Sequence, residues 1–537
     1  MEATTRRRST DEPARPALEA GTAVAATVRT TLGPNGMDTM VVDRDGSVLV
    51  TNTGSSVLER LDVAHPIGRS AVAAAASQDR AASDGSTRTV ILLGALLDRA
   101  RELIEDGAHP RTVVKGYARA TERARERLAE YAAPFDDDER ERLERIVATT
   151  VNGRWDDDAV GHFATAVVSA LRRVDFDASR LTLHGYAGEG VAASTLVDGI
   201  LVDHDASSTS VAPVVGADVP SLAAPRIALV RDAIGLDDTA AGTTVTVDDA
   251  HTLERVRDHE RDVTAGLVDA VRESGADALF CAKPVDDGVR VALARAGVLV
   301  VERTRSDEFA AIERATDADA VPSPRDLDAA ALGRAGSIRR REIGDVSTLV
   351  VADCPVEAHA SLVLRGGTPH VVEETRRIVA DGIDVLRQAV RDGRVVPGGG
   401  ASATALSQTL ASEATRVSGR EQLVRSAYAE ALTTLPRTLA ENAGRDPTTA
   451  IADLKRRQRA DGPDIGIGVD GSLVDARAAE IVEPPTVLRS CLTNAFETAA
   501  TVLRVDDVLP AATANPSDEG MAPDGPDHGG YPWAIGH

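Results

Sequence analysis

Three short segments rich in glycine and hydroxyl side chains lie far apart in this chain. They are Thr31-Leu32-Gly33-Pro34-Asn35-Gly36, Ser83-Asp84-Gly85-Ser86-Thr87 and Pro397-Gly398-Gly399-Gly400-Ala401. Glycines let the backbone come close to a ligand, and a helix that starts after such a loop offers free N–H groups to phosphate. Two of the three open into helix-like sequence, and one carries a carboxylate. Together they point to one nucleotide pocket assembled from both ends of the chain. None matches the single-segment motif Gly-x4-Gly-Lys-Ser/Thr.

Taken singly, each loop has an ordinary reading. Ser and Asp are preferred N-caps, so Ser83 to Thr87 fits a plain helix start. Gly398-Gly399-Gly400 fits a tight turn, and Gly33-Pro34 fits a helix stop. In a nucleotide pocket, Asp84 would hold Mg²⁺ bridging to phosphate oxygens, with Ser86 and Thr87 as hydroxyl donors. Asp381, in Ile378-Val379-Ala380-Asp381-Gly382, reads on its own as a solvated helix aspartate. His184, His359 and His370 lack metal-ligand spacing and read as ordinary polar residues.

Composition removes several function classes. The net charge is −24, from 84 acidic against 60 basic residues, and lysine occurs only at Lys115, Lys283 and Lys455. A nucleic-acid binder needs a basic face, so no nucleic-acid partner is expected. The acidic, arginine-for-lysine surface reads as adaptation to a salty cytoplasm. Aromatic residues make up 2% of the chain, so Ala, Val, Leu and Ile must fill the cores. Cys281, Cys354 and Cys491 are distant, odd in number and without CxxC spacing, which disfavours zinc or disulfides and fits a reducing compartment. Arg6-Arg7-Arg8 is not followed by an apolar stretch, and the longest apolar run, Val90 to Leu97, is too short to span a bilayer. A cytoplasmic protein with no membrane partner is expected.

At 537 residues, two to four domains are expected. Residues 1–16 read as a flexible arm. A helix is predicted over 17–31 and a β-hairpin around Asp45-Gly46. A helix is predicted over Ile67 to Ser77, and a longer one after Thr87 with Leu93, Leu97, Ala100 and Ile104 on its apolar face. Between 180 and 365 short apolar runs alternate with polar helices: Arg226 to Val230, Ala278 to Cys281, Val298 to Val301 and Ser347 to Val351. That is an α/β layer pattern. Helices return from 371, and 511–537 reads as a disordered tail.

A colinear set of motifs then resembles the group II chaperonins, the archaeal thermosome and its eukaryotic cytosolic relatives. The matches are Val28 through Met37, Thr51-Asn52-x-Gly54, Ser83 to Thr87, Gly116-Tyr117, Arg365-Gly366-Gly367 and Val396 to Gly400. They continue with Glu441-Asn442-Ala443-Gly444-x-Asp446-Pro447, Glu483-Pro484 and Leu503 to Val508. The resemblance runs from about residue 18 to 510.

It implies an α+β multidomain chaperonin fold. A helical equatorial domain binds ATP (17–147 and 397–510), a small intermediate domain acts as hinge (148–196 and 364–396), and an α/β apical domain with a built-in lid binds non-native client proteins (197–363). Copies of the chain or paralogous subunits would stack in a double ring, using the hairpin and a strand at Val505 to Leu509. The implied phosphate contacts are Thr31, Leu32, Gly33, Pro34, Gly85, Ser86, Thr87, Gly399 and Gly400. Asp84 is the implied Mg²⁺ ligand, Asp381 the acid that polarises the attacking water, and Glu483 the nucleoside contact.

The departures bear on activity. The family's second catalytic acid, in Thr-Asn-Asp-Gly, is replaced by Thr53, whose hydroxyl can orient water but cannot act as a base near neutral pH. Lysines that the family places near the γ-phosphate, in a loop matching 184–188, are replaced by Gly185 and Tyr186. The usual N-terminal apolar strand is missing from 1–16. The expectation is a divergent, ATP-dependent chaperone subunit with slow ATP hydrolysis. The alternative is a nucleotide-binding ring subunit with little turnover, serving structure or regulation.

Overall fold

The helix after Thr87 organises the largest core. The computed structural model describes residues 14–505, apart from 43, 45, 47, 136–138, 204–220 and 236–249, and runs this helix from Ser86–Glu105. Leu93, Leu97 and Ala100 are buried and Ile104 packs against them. The same core takes Leu18, Val24 and Val28 from the helix Ala14–Val28. It also takes Leu488, Leu492, Ala495 and Ala499 from Pro485–Val502, at the spacing that lines one helix face. Both ends of the chain therefore share one apolar interior. Polar clamps fix their register: Asn442 donates to the Leu32 carbonyl at 2.8 Å, and Gln78 donates to the Val487 carbonyl at 3.1 Å. Two of the scarce aromatics meet here, Tyr117 and Tyr428, edge to face at 5.5 Å.

A second core joins the helices Arg140–Val151 and Asp157–Arg173 to the helix Pro369–Asp392 and the strand Ala360–Gly366. The strand pairs in parallel with Leu181–Ala187 and antiparallel with Thr195–Asp198.

The middle of the chain forms the expected α/β layers. Leu299–Val301, Ala278–Cys281 and Arg226–Val230 are parallel neighbours. Their alternate residues feed two different cores: Ile227, Leu229 and Phe280 on one side, Ala228, Val230 and Cys281 on the other. Burial on both faces explains why these strands read as unbroken apolar runs. A second sheet, containing Ile200–Asp203 and Val346–Ala352, closes the first of those cores.

The first predicted helix ends at Val28 and continues as a tighter turn, Arg29–Thr31. The hairpin is present as Thr39–Val42 paired with Val48–Thr51. Asp45 of its turn, most of the arm 1–16, residues 506–509 of the expected C-terminal strand and the tail 511–537 lie outside the described residues. So do 204–220 and 236–249, within the span expected to carry the lid. No described helix is long and apolar enough to cross a membrane.

Candidate nucleotide site

Three backbone turns meet around one cavity of about 410 Å³, a size suited to a small-molecule ligand. Past the turn Arg29–Thr31, Gly33 adopts φ +83°, and a Cβ there would lie 2.4 Å from the Leu439 side chain. Thr31, Leu32, Gly33 and Pro34 form one wall. Opposite, the helix Pro66–Ala82 ends at Ser83 and the helix Ser86–Glu105 starts at Gly85, leaving Asp84 between two helix ends. Asp84, Gly85, Ser86 and Thr87 line the cavity. The third wall follows the strand Arg394–Pro397, where Gly399 and Gly400 take φ of +57° and +73° before the helix Ala401–Ala414. A Cβ on Gly399 would sit 2.6 Å from the Ile467 carbonyl oxygen, so only glycine fits. Two helix N-termini, each with unpaired N–H groups, thus begin at the cavity wall.

The acids arrive from other elements. Asp381 lies on Pro369–Asp392 and lines the cavity. Burial, reinforced by Asp79 and Asp84, pushes its carboxyl up to about 8, against the pull of Arg377 and Arg154. Glu483, in the short strand Val482–Glu483, is raised by burial and opposed by Arg88. Thr53 caps the helix Gly54–Arg60. Its hydroxyl accepts from Arg154 at 2.6 Å and lies 3.4 Å from a Glu374 carboxylate oxygen. Every residue assigned above to phosphate, Mg²⁺, the attacking water or the nucleoside lines this cavity, including Glu483, and so does Thr53.

Four residues were not found by sequence reasoning. Arg88, one turn into its helix, pairs with Asp84 at 3.0 Å and also with Glu483. Arg154 also lines the cavity. It follows Gly153, whose φ of +81° lets the backbone approach Pro34 so closely that a Cβ would lie 2.5 Å from the Pro34 carbonyl oxygen. Burial lowers the Arg154 pKa, while Glu374 and Asp381 favour its charge. Asp79 lines the cavity with a carboxyl raised by burial. Glu374 stands behind Thr53 and is also paired with Arg377. The i,i+4 spacing of Asp84 and Arg88 was the one available signal. Residues 184–188 do not line the cavity, and its cationic lining is Arg88, Arg145 and Arg154.

The chemistry of this donor set fits a nucleotide with Mg²⁺. Backbone N–H groups, hydroxyls and arginines suit a polyphosphate. Asp79, Asp84 and Asp381 crowd together and raise the protonation of Asp381, an excess of negative charge that a divalent cation would offset. Mg²⁺ characteristically takes one or two carboxylates and completes its shell with phosphate oxygens and water.

Comparison with known proteins adds the following. The model of the TCP-1/cpn60 chaperonin family matches residues 24–513. The chain is 39% identical over 501 residues to thermosome subunit alpha of Halobacterium salinarum, covering 92% of this chain and 88% of that one. It is 37% identical over 521 residues to thermosome subunit 1 of Haloferax volcanii, covering 95% and 91%. It is 35% identical over 507 residues to thermosome subunit beta of Methanothermobacter thermautotrophicus, covering 94% and 92%.

Proposed function

The chain belongs to the TCP-1/cpn60 chaperonin family, and on that basis we propose that it is a ring-forming chaperone subunit that binds Mg-ATP in this cavity and hydrolyses it slowly. The observation that carries the reading is the convergence of three distant loops, Asp84 and Asp381 on one cavity.

In this reading the N–H groups at the starts of the helices Ser86–Glu105 and Ala401–Ala414 hold the phosphates, with Ser86 and Thr87 donating hydroxyl hydrogen bonds. Glu483 contacts the nucleoside end. Arg154 contacts the terminal phosphate and stabilises the charge that builds there during transfer. Asp381, once deprotonated, takes the proton of the attacking water. Thr53 orients that water, and Glu374 orients Thr53 through the 3.4 Å contact. Mg²⁺, held by Asp84, would neutralise phosphate charge.

The domain assignment follows from the same reading. Residues 17–147 and 397–510 form the equatorial domain. Residues 148–196 and 364–396 form the intermediate hinge that carries Asp381, and 197–363 form the apical domain that meets non-native clients. Because Asp381 sits on the hinge, nucleotide state and hinge angle are coupled. The hairpin supplies a ring contact, since Met40, Val42, Val48 and Val50 all expose apolar side chains.

Calorimetry with Mg-ATP at molar salt tests the site. Asp84→Ala should abolish Mg-dependent binding, and equal affinity in the two proteins would overturn the assignment. A second reading, a structural subunit with little turnover, draws on Thr53 and on Arg88, which already occupies Asp84. Steady-state ATPase separates the two.

A further inference from the structure

Outside the nucleotide cavity, one buried polar cluster is left with unanswered donor atoms. His184 comes from the strand Leu181–Ala187, Asp203 from Ile200–Asp203 and Glu308 from the helix Ser306–Thr316. One ligand atom from each lies within 4.8 Å of the other two, and among the described residues no other His, Cys, Asp or Glu group of three does so. His184 Nδ1 faces Asp203 Oδ2 at 3.6 Å and Glu308 Oε1 at 3.9 Å. The side chains of His184 and Glu308 are fully buried. Neither His184 Nδ1 nor Glu308 Oε2 has a hydrogen-bond partner.

That arrangement is costly as it stands. Buried polar atoms are normally satisfied. The other ring nitrogen, Nε2, lies 3.2 Å from Thr182 Oγ1. If Nε2 donates there, the Nδ1 lone pair points at two carboxylates and repels them. If Nδ1 carries the proton, both carboxylates are too far for a good hydrogen bond.

We propose that His184, Asp203 and Glu308 form a divalent transition-metal site, of the Zn²⁺ or Mn²⁺ class, that pins the strand Leu181–Ala187 to the strand Ile200–Asp203 and the helix Ser306–Thr316. One imidazole and two carboxylates are an ordinary donor set for these ions, with a position left for water. Bonds of about 2.0–2.2 Å set tetrahedral donors roughly 3.3–3.6 Å apart; the two gaps from His184 Nδ1, 3.6 and 3.9 Å, are close to that spacing, and all three donor atoms lie within 4.8 Å of one another. The outer partners are in place. Thr182 fixes the imidazole, while Arg305 at 3.0 Å and the Tyr186 hydroxyl hold Asp203. Such second contacts orient metal ligands. The ion would sit where the proposed intermediate and apical domains meet and would restrain their relative motion. It is independent of the nucleotide reading, because none of these residues lines that cavity.

The test uses the full-length, tag-free chain, stripped with chelator and titrated with Zn²⁺ and with Mn²⁺. Nucleotide is omitted and excess Mg²⁺ is present to occupy Asp84. One ion per chain is expected by calorimetry and elemental analysis, with its loss in His184→Ala and Glu308→Gln. Pulsed EPR of Mn²⁺ on the unaltered chain should detect a single imidazole nitrogen, an outcome that does not depend on either variant folding. Failure to retain an ion at one per chain would overturn the proposal. So would equal retention in both variants, or Mn²⁺ without imidazole coupling.

Discussion

The cavity at Asp84 and the cluster at His184 are assembled in opposite ways. The cavity is built from runs of adjacent residues, each run bending the backbone around it. Its glycines take left-handed φ values that L side chains rarely adopt, +86° at Gly85 and +57° at Gly399. The cluster takes single side chains from two strands and a helix, and its strand residues have ordinary extended backbone. A backbone-built site leaves a local signature in sequence. A side-chain-built site is created by tertiary packing and leaves none.

The comparison can be broken first at Arg154. If the cavity works through groups fixed by close backbone approach, Arg154→Ala should lower kcat for ATP hydrolysis by about 10²–10³-fold, as loss of one charge-stabilising donor does. Single-turnover kinetics would detect this, and an unchanged kcat would leave Arg154 a hydrogen-bond donor to the Asn52 and Thr53 side chains and nothing more. On the cluster side, Thr182→Val removes the outer contact to His184, along with the hydroxyl's contacts to Ser361 and His359, and leaves all three ligands in place. It should weaken Zn²⁺ binding by about 10–100-fold without abolishing it, read by competition with a chelating dye.

A smaller effect is expected at position 53. Thr53→Asp restores an acid, and turnover should rise by roughly tenfold, at the low end of general-base effects. Arg154 and Glu374 already flank the hydroxyl, which limits the gain. A kcat that does not change would mean Asp381 alone suffices. The smallest effect is in pH. Asp381 must lose its proton to act as base, and its carboxyl is raised to about 8 by burial and by Asp79 and Asp84. Turnover should therefore climb with pH through about 8, at most about tenfold per unit, and level off above it. Bound Mg²⁺ would move this limb lower, since added positive charge favours the carboxylate.

Much of the fold was legible because periodicity survives packing. The face Leu93, Leu97 and Ala100 is buried where spacing put it, and the strands Arg226–Val230 and Ala278–Cys281 occur as predicted. The loops around Asp84 were legible because glycine, proline and hydroxyl residues mark turns wherever they occur. Arg154 was missed because its contact with Thr53 depends on Gly153 meeting Pro34, an approach between distant segments. His184 read as an ordinary polar residue since its neighbours in sequence offer no ligand spacing. Its partners are supplied by Asp203 and Glu308, from separate elements. In the strand Leu181–Ala187, His184 and Tyr186 turn toward Asp203, not toward the cavity.

The most direct test of the account is the steady-state ATPase rate of the purified chain and of Asp381→Ala, at saturating Mg-ATP and molar salt. The account predicts slow, measurable turnover in the natural protein. It predicts a fall of about 10²-fold or more in the variant, with calorimetry still reporting nucleotide binding in both. Equal rates in the two proteins, or no turnover in the natural one while nucleotide binds, would contradict it.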